Sequence, residues 1–114
     1  MKRRFRLRNT TDFKRVRATG KAYTHPFFVL LVAEGESNHS RFGISVQRKF
    51  GSAVERNLVK RRVRSIVTPW MDGNERVWDG ILIIKNQAGH AEYNQLQEAL
   101  ASLFIKARLI TNAE

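Results

Sequence analysis

The sequence predicts an α/β fold in a single domain, because helix-like and strand-like patterns alternate along a chain of only 114 residues. Apolar runs at 27–33 and 78–85 have the composition of buried strands. Residues 41–47 alternate between apolar and small or polar side chains, as a half-exposed strand does. Segments 52–68 and 92–107 repeat apolar residues at helical spacing. We therefore expect a small sheet packed by helices.

The composition predicts a folded protein with a polyanionic partner. Hydrophobic residues make up 42% of the chain and eleven residues are aromatic, which argues against disorder. Lys and Arg number 21 against 10 Asp and Glu, so the formal charge is +11 and the pI about 11.1. On charge alone, nucleic acid is the leading partner. The alternative is that the chain is a soluble basic protein with no special partner.

Several other classes of protein are excluded or disfavoured. With no cysteine, the chain has no disulfide, no cysteine-ligated zinc and no thiol catalysis. Its longest apolar run, 27–33, is far shorter than the roughly 20 residues that span a bilayer. No apolar stretch of signal-peptide length follows the basic N-terminus, so we expect a cytoplasmic protein. Within the domain of residues 1–114, residues 1–8 hold five cations and are expected to form a flexible basic arm.

The first helix is expected between Asn9 and Gly20. Asn9 and Asp12 resemble a helix start, and Gly20 can end a short helix. Phe13 and Arg17 lie four residues apart and can share a face.

The strand at 41–47 presents apolar residues on one face and small or polar residues on the other. The small and polar side chains would let a ligand backbone approach closely. The apolar set is Phe42, Ile44 and Val46; the open set is Gly43, Ser45 and Gln47.

The second helix has clear boundaries. Ser52 and Glu55 form a capping-box pattern, so the helix begins at 52 or 53, and Pro69 predicts an end near residue 68. A turn is expected at 72–74. The last helix, 92–107, should bury one face, formed by Tyr93, Leu96, Leu100, Leu103, Phe104 and Ala107.

The second helix is also unusually basic. Its apolar residues Val59, Val63, Ile66, Val67 and Trp70 fall within a sector of about 100° and form the buried stripe. Glu55 is the only carboxylate between residues 51 and 71, and the capping box already uses it. A merely solvated face would intersperse both signs of charge, so we expect this face to contact phosphate. This basic ridge comprises Arg56, Asn57, Lys60, Arg61 and Arg64, with Arg62 apart from it.

The sequence contains no recognisable catalytic or metal-binding constellation. No phosphate-binding glycine loop, zinc-protease helix or serine-nucleophile signature is present. The histidines and the candidate carboxylates are isolated from one another in sequence. We therefore expect no catalytic residue in this chain, and the sequence assigns no metal site. The residues considered are His25, His39, His90, Asp12, Asp72 and Asp79.

Residues 41–64, RFGISVQRKFGSAVERNLVKRRVR, resemble the signature of the protein subunit of bacterial ribonuclease P. In that family a strand ending in G-x-S-V leads to a Lys-hydrophobic-Gly turn and an A-V-x-R-N-R-x-K-R-x-x-R helix. The resemblance extends to the R-L-x-x-x-x-D-F segment at 6–13, the strand at 27–33, the strand of Asp79 and the last helix. It therefore covers nearly the whole chain.

The resemblance implies a fold and a function. The fold is a two-layer α/β sandwich like domain 2 of ribosomal protein S5, whose mixed sheet has a left-handed βαβ crossover where general rules favour a right-handed one. The function is that of a ribonucleoprotein endonuclease that removes the 5′ leader from precursor tRNA. Its RNA subunit holds the catalytic Mg²⁺, and its protein binds that RNA and the leader.

The resemblance also implies roles for particular residues. The basic ridge would face the RNA subunit, and a cleft between the first helix and the sheet would take the single-stranded leader, with stacking on Phe13. Three positions depart from the family pattern. Leu58 replaces the second Arg of the R-N-R triplet. Arg17 stands where many relatives have an aromatic residue in the cleft, and Leu31 stands where some have Tyr. The implied RNA-binding residues are Arg56, Asn57, Lys60, Arg61 and Arg64 on the helix, Ser45, Arg48 and Lys49 on its approach, and Phe13 and Arg17 in the cleft.

Three other functions were weighed. A ribosomal or other structural RNA-binding protein would share the basic charge without a role in catalysis. A stand-alone nuclease would need an Asp and Mg²⁺ and would cleave without an RNA subunit. A helix-turn-helix DNA reader would need a short helix directly before the basic helix, where the sequence predicts a strand.

Overall fold

The computed structural model describes residues 1–73 and 76–111, which form a four-stranded mixed sheet packed by helices. The order across the sheet is β1-β2-β4-β3, with β1–β2 and β2–β4 antiparallel and β3–β4 parallel. The predicted α/β class is confirmed. The strands are β1 (Lys21–Thr24), β2 (Phe28–Glu34), β3 (Arg41–Val46) and β4 (Trp78–Ile84).

Three α-helices lie where the sequence predicts them, and side chains cap their N-termini. They are α1 (Thr10–Thr19), α2 (Ala53–Val67) and α3 (Tyr93–Lys106). Asn9 caps α1 by accepting the Thr11 N–H at 2.8 Å. At α2 the Ser52 N–H donates to Glu55 Oε1 at 2.9 Å, and the Glu55 N–H donates to Ser52 Oγ at 3.2 Å, which confirms the capping box.

Strand β1 was not predicted. Its sequence, KAYT, is short, mostly exposed and without an apolar run, so nothing in its pattern indicates a strand. It forms because the edge of β2 offers backbone partners from Val29 to Val32. At the other edge of the sheet, β3 pairs with β4 along its length, and its residue Phe42 also forms an isolated parallel bridge with Arg6.

The two faces of the sheet are covered differently. Helices α2 and α3 pack on one face and enclose the main core, which includes Phe28, Trp78 and Phe104. Helix α1 packs on the other face through a smaller cluster built around Val16 and Ile81. Because α1 is only ten residues long, it leaves part of that second face uncovered.

Two predictions about burial are wrong. Tyr93 was expected in the core but is 42% exposed, and its hydroxyl forms a hydrogen bond of 3.1 Å with Ser65. The N-terminal residues were expected to form a flexible arm, yet Phe5 and Leu7 are buried, and the Leu7 N–H donates to Phe42 O at 3.0 Å. The segment therefore lies against the start of β3, held by backbone pairing and by its two apolar side chains.

Of the turn predicted at 72–74, Asp72 and Gly73 are described and Asn74 lies outside the described residues. The Asp72 carboxylate accepts the Gly73 N–H at 3.1 Å, and Gly73 has a φ of +73°, which suits glycine. Within residues 1–73 and 76–111, no helix is long and apolar enough to cross a membrane.

A buried carboxylate fixes α1 to the sheet. Asp79, on β4, has no exposed surface and receives Arg41 Nε at 3.1 Å and Arg41 Nη2 at 2.9 Å. Arg15, on α1, also pairs with it. Burial opposes the charge of Arg15, but its hydrogen bond and attraction to Asp79 outweigh that and raise its pKa. For Arg41 the hydrogen bond to Asp79 is the largest effect, and its pKa is raised too. Asp12 also forms ion pairs with the guanidinium groups of Arg15 and Arg41.

We predict that Asp79→Asn destabilises the protein by about 3 kcal/mol or more, because it leaves two partly buried guanidinium groups without their main counter-charge. Urea unfolding followed by circular dichroism measures the change. Glu98→Gln, which removes a carboxylate from the exposed side of α3, is the matched control and should have little effect. Equal effects of the two substitutions would contradict the assigned role of Asp79.

Candidate RNA interface

The basic helix α2 buries the stripe that its sequence predicts. Val59, Val63, Ile66 and Val67 are buried, and Trp70, just past the helix, is half-buried. This packing against the sheet and α3 turns the opposite side of the helix toward solvent. Every residue of the basic ridge keeps some exposed surface: Asn57 and Arg61 are exposed, and Arg56, Lys60 and Arg64 are half-buried.

One ridge residue also has a structural role. Arg56 Nη1 donates to the carbonyl oxygens of Gly51, at 2.6 Å, and Arg48, at 3.3 Å. These bonds hold the turn that joins β3 to α2 and keep Arg48 and Lys49 on the exposed side of that turn. Arg56 therefore positions the approach residues in addition to presenting its own charge.

Arg64 meets a cation that the sequence pattern did not assign to the interface. Burial lowers the pKa of Arg64, and the positive charge of Arg6 lowers it further. Within the described part of the chain, no carboxylate forms an ion pair with either residue. Together with Arg61 they line an open depression, whose other lining residues are Met1, Ser65, Thr68 and Pro69. Two like charges held close without a counter-ion favour an anionic ligand.

A second depression continues from Arg64 into the space between α1 and β3. It is lined by Arg6, Leu7, Arg8, Phe13, Phe42, Gly43, Ile44 and Arg64, and none of these is a carboxylate. The half-buried ring of Phe13 lies directly over Gly43: a Cβ added there would be only 2.6 Å from Phe13 Cζ. The strand face predicted to carry small and polar residues, which includes Gly43, thus contacts Phe13, the aromatic residue that the resemblance implies for the cleft.

The far side of this cleft is bounded by Arg17 and Ser45. Arg17 is exposed, and its Nη2 donates to Ser45 Oγ at 3.4 Å, which joins α1 to β3. Leu31 is half-buried in the cluster beneath α1 with Phe13 and Val16, so it supports the cleft from below. Leu58 is half-buried on α2.

Arg6 and Arg8 line the candidate interface, which the sequence pattern did not indicate because residues 1–8 were expected to form a flexible arm. A signal was present in the sequence Phe5-Arg6-Leu7-Arg8, where apolar and cationic residues alternate with the period of an extended chain. The structure buries Phe5 and Leu7 and leaves Arg6 and Arg8 exposed.

The carboxylates near the cleft, Asp12 and Asp79, already form ion pairs within the protein. Asp79 and Asp12 each pair with both Arg15 and Arg41. Among residues 1–73 and 76–111, no three His, Asp or Glu side chains are grouped so that they could hold a metal ion. The geometry offers a surface for binding: cations that form no ion pair with any described residue, a flat aromatic ring and a strand face of small residues.

Comparisons with known proteins show which family the chain belongs to. Residues 1–108 match the family described as Ribonuclease P. Relatives named ribonuclease P protein component include one from Herpetosiphon aurantiacus, 40% identical over 96% of this chain and 89% of its own. Another, from Chloroflexus aurantiacus, is 34% identical over 96% and 82%.

Solved structures of RNase P proteins are also similar to this chain. The protein from Staphylococcus aureus, solved at 2.0 Å, superposes with a TM-score of 0.85 at 29% identity, over 92% of this chain and 96% of its own. The protein from Thermotoga maritima superposes with a TM-score of 0.79 at 30% identity, over 89% and 96%. On the family match and these likenesses, the chain belongs to the ribonuclease P protein component family.

Proposed function

We propose that this chain binds the catalytic RNA subunit of ribonuclease P with its basic ridge and the 5′ leader of precursor tRNA with its cleft. The observation that carries the proposal is the continuity of cations, from Arg61 through Arg64 and Arg6 to the mouth of the cleft that holds Phe13, that have no ion-pair partner among the described residues. Such a surface favours a polyanion that passes from the helix into the cleft.

The two surfaces suit different parts of the RNA. The ridge is a convex row of cations along a rigid helix, which fits the phosphate backbone of a folded RNA. The cleft combines the half-buried ring of Phe13, which covers the buried Gly43, with the half-buried Ser45, so an unpaired base can stack on the outer face of the ring while its backbone lies near Ser45 on β3. Only precursor tRNA has a leader to place there, and this distinguishes it from mature tRNA.

In this mechanism the chain's residues position the substrate and do not take part in bond cleavage. Catalytic Mg²⁺ would be held by the RNA subunit, because Asp12 and Asp79 are committed to guanidinium groups. Cations at the cleft mouth reduce the repulsion between the leader and the RNA subunit, which lowers the Mg²⁺ concentration that the complex requires. Endonucleolytic removal of the leader then leaves the mature 5′ end of the tRNA.

The direct test is cleavage of a precursor tRNA at low Mg²⁺ by the protein alone, the cognate RNA subunit alone, and both together. We expect activity only in the mixture. Cleavage by the purified protein alone would instead support a stand-alone nuclease. Tight binding to the RNA subunit with no gain in cleavage would support a structural RNA-binding protein.

We predict that Lys60→Ala weakens binding to the RNA subunit and reduces the slope of log affinity against log salt by about 0.7 to 0.9, the value expected for one lost phosphate contact. Affinities measured by fluorescence anisotropy at four salt concentrations give the slope. Lys106→Ala, which removes the same charge from an exposed position on α3, is the matched control. If both variants change the slope equally, the ridge is not the contact surface.

We predict that Phe13→Leu weakens binding of precursor tRNA to the holoenzyme by about 1 to 3 kcal/mol and leaves mature tRNA unaffected, because leucine fills the space but cannot stack on a base. Phe13→Tyr, which keeps the ring, should retain most of the affinity. Equal losses for precursor and mature tRNA would show that Phe13 acts only in packing.

A further inference from the structure

The loop between β2 and β3, residues 35–40, is fixed to the sheet at both of its ends. At one end the Gly35 N–H donates to the Val77 carbonyl oxygen at 3.2 Å. At the other end Ser40 is buried, and its Oγ accepts the Trp78 N–H at 3.0 Å. Both partners lie where β4 begins. The β2–β3 loop is therefore a fixed base for the side chains that it carries.

From this base, His39 contacts the N-terminal segment, residues 1–8. Its Nε2 lies 2.7 Å from the carbonyl oxygen of Arg4, which is 35 positions earlier in the chain. Because a carbonyl oxygen only accepts, Nε2 carries the proton and donates it to this bond. The imidazole also packs edge-on against the buried ring of Phe5, with 5.8 Å between the ring centroids. These two contacts leave His39 half-buried and distinguish it from a solvated loop residue.

The histidine bond lies directly before the residues that the N-terminal segment brings to the interface. Arg4, which accepts the bond, is followed by Arg6, which bridges to Phe42 on β3. The Leu7 N–H then donates to the Phe42 carbonyl oxygen at 3.0 Å. Arg6 and Arg8 line the mouth of the cleft. Arg6 is thus held between two attachments, one to the β2–β3 loop and one to β3.

Electrostatic repulsion opposes this placement of the N-terminal segment. Five of its eight residues are cations, and none of them forms an ion pair with a described carboxylate. Burial and, as a smaller effect, the positive charge of Arg6 lower the pKa of Arg64, so these two cations repel each other. A short segment held against such repulsion depends on each of its attachments, since ordering the backbone costs free energy at every residue.

We propose that His39 is a positioning residue for RNA binding, whose hydrogen bond to the Arg4 carbonyl fastens the N-terminal segment so that Arg6 and Arg8 stand at the mouth of the cleft. The proposal rests on the proposed function, because these cations serve binding only if the cleft takes the leader. His39 does not line the cleft, so it acts through the segment. Loss of one such bond changes the ratio of docked to released segment by about 2- to 12-fold.

Two substitutions separate the hydrogen bond from the ring contact. His39→Phe keeps an aromatic ring against Phe5 but has no donor for the Arg4 carbonyl. His39→Gln loses the ring but carries an amide N–H the same number of bonds from the backbone as Nε2, so it keeps the donor. His90→Phe, at an exposed position in the 3₁₀ turn Asn86–His90 that follows β4, is the matched control.

Docking of the N-terminal segment is measured first in the free protein, by limited trypsin digestion and mass spectrometry. Cleavage between Arg6 and Leu7 requires release of the segment, because Leu7 is buried and its N–H is bonded. The cleavage rate follows the released population when release is fast relative to cleavage. We expect His39→Phe to speed this cleavage about 2- to 12-fold, and His39→Gln and His90→Phe to stay close to wild type. Urea unfolding followed by circular dichroism shows whether each variant is folded.

The reconstituted holoenzyme, with protein in excess over the RNA subunit, then tests the consequence for RNA. We expect His39→Phe to weaken binding of precursor tRNA by about 2- to 12-fold, in proportion to the loss of docked segment, and to leave mature tRNA unchanged. In a background of Arg6→Ala with Arg8→Ala, His39→Phe should have no further effect, because His39 acts only through these cations. An effect through fold stability would instead appear in both backgrounds and would contradict the positioning role.

The possible failures are distinguishable. An unchanged trypsin cleavage rate in His39→Phe would overturn the positioning role, and so would faster cleavage with unchanged affinity for precursor tRNA. If the wild-type holoenzyme does not prefer precursor over mature tRNA, the proposed function itself is wrong. The trypsin result would then still show whether His39 holds the segment.

Discussion

The ion-pair network around Asp79 determines where the cleft lies. Asp79 belongs to β4, Arg41 to β3 and Arg15 to α1, so one buried carboxylate connects the three elements that define the cleft. Charges taken out of water stabilise a structure only when their partners are well placed, and this makes the geometry of the three elements mutually dependent. Helix α1 can leave part of the sheet face uncovered because these pairs, added to a small apolar cluster, hold it in place.

Six of the fourteen arginines of this chain show two different roles. Arg15, Arg41 and Arg56 have partners within the protein and build its scaffold: the first two fix α1, and the third fixes the turn before α2. Arg6, Arg61 and Arg64 lie along the interface and form no ion pair within the described part of the chain. Positive charge at this surface is therefore not balanced by carboxylates of the described residues. There a polyanionic partner would supply the missing counter-charge.

Local patterns in the sequence predicted the helices well and long-range pairing poorly. The capping box at Ser52, the apolar stripe of α2 and the stop before Pro69 depend on neighbours a few residues away. Strand β1 depends on the free edge of β2, and the Asp79 network joins residues up to 64 positions apart. For that reason the sequence shows Asp79 only as one of several isolated carboxylates. At the site, the ridge was predictable from charge spacing, whereas the contribution of Arg6 required the tertiary packing of Phe5 and Leu7. The hand of the β3–α2–β4 crossover stays a prediction.

The contact between Phe13 and Gly43 has an entropic consequence. The ring lies so close to the strand backbone that any side chain at residue 43 would collide with it. This close packing against the strand restricts the ring to few rotamers in the absence of RNA. A base that stacks on a ring already held in place does not have to order it, so less of the stacking energy is lost to side-chain immobilisation. In the proposed function, the absence of a side chain at residue 43 would thus increase the affinity available from Phe13, thirty positions earlier in the chain.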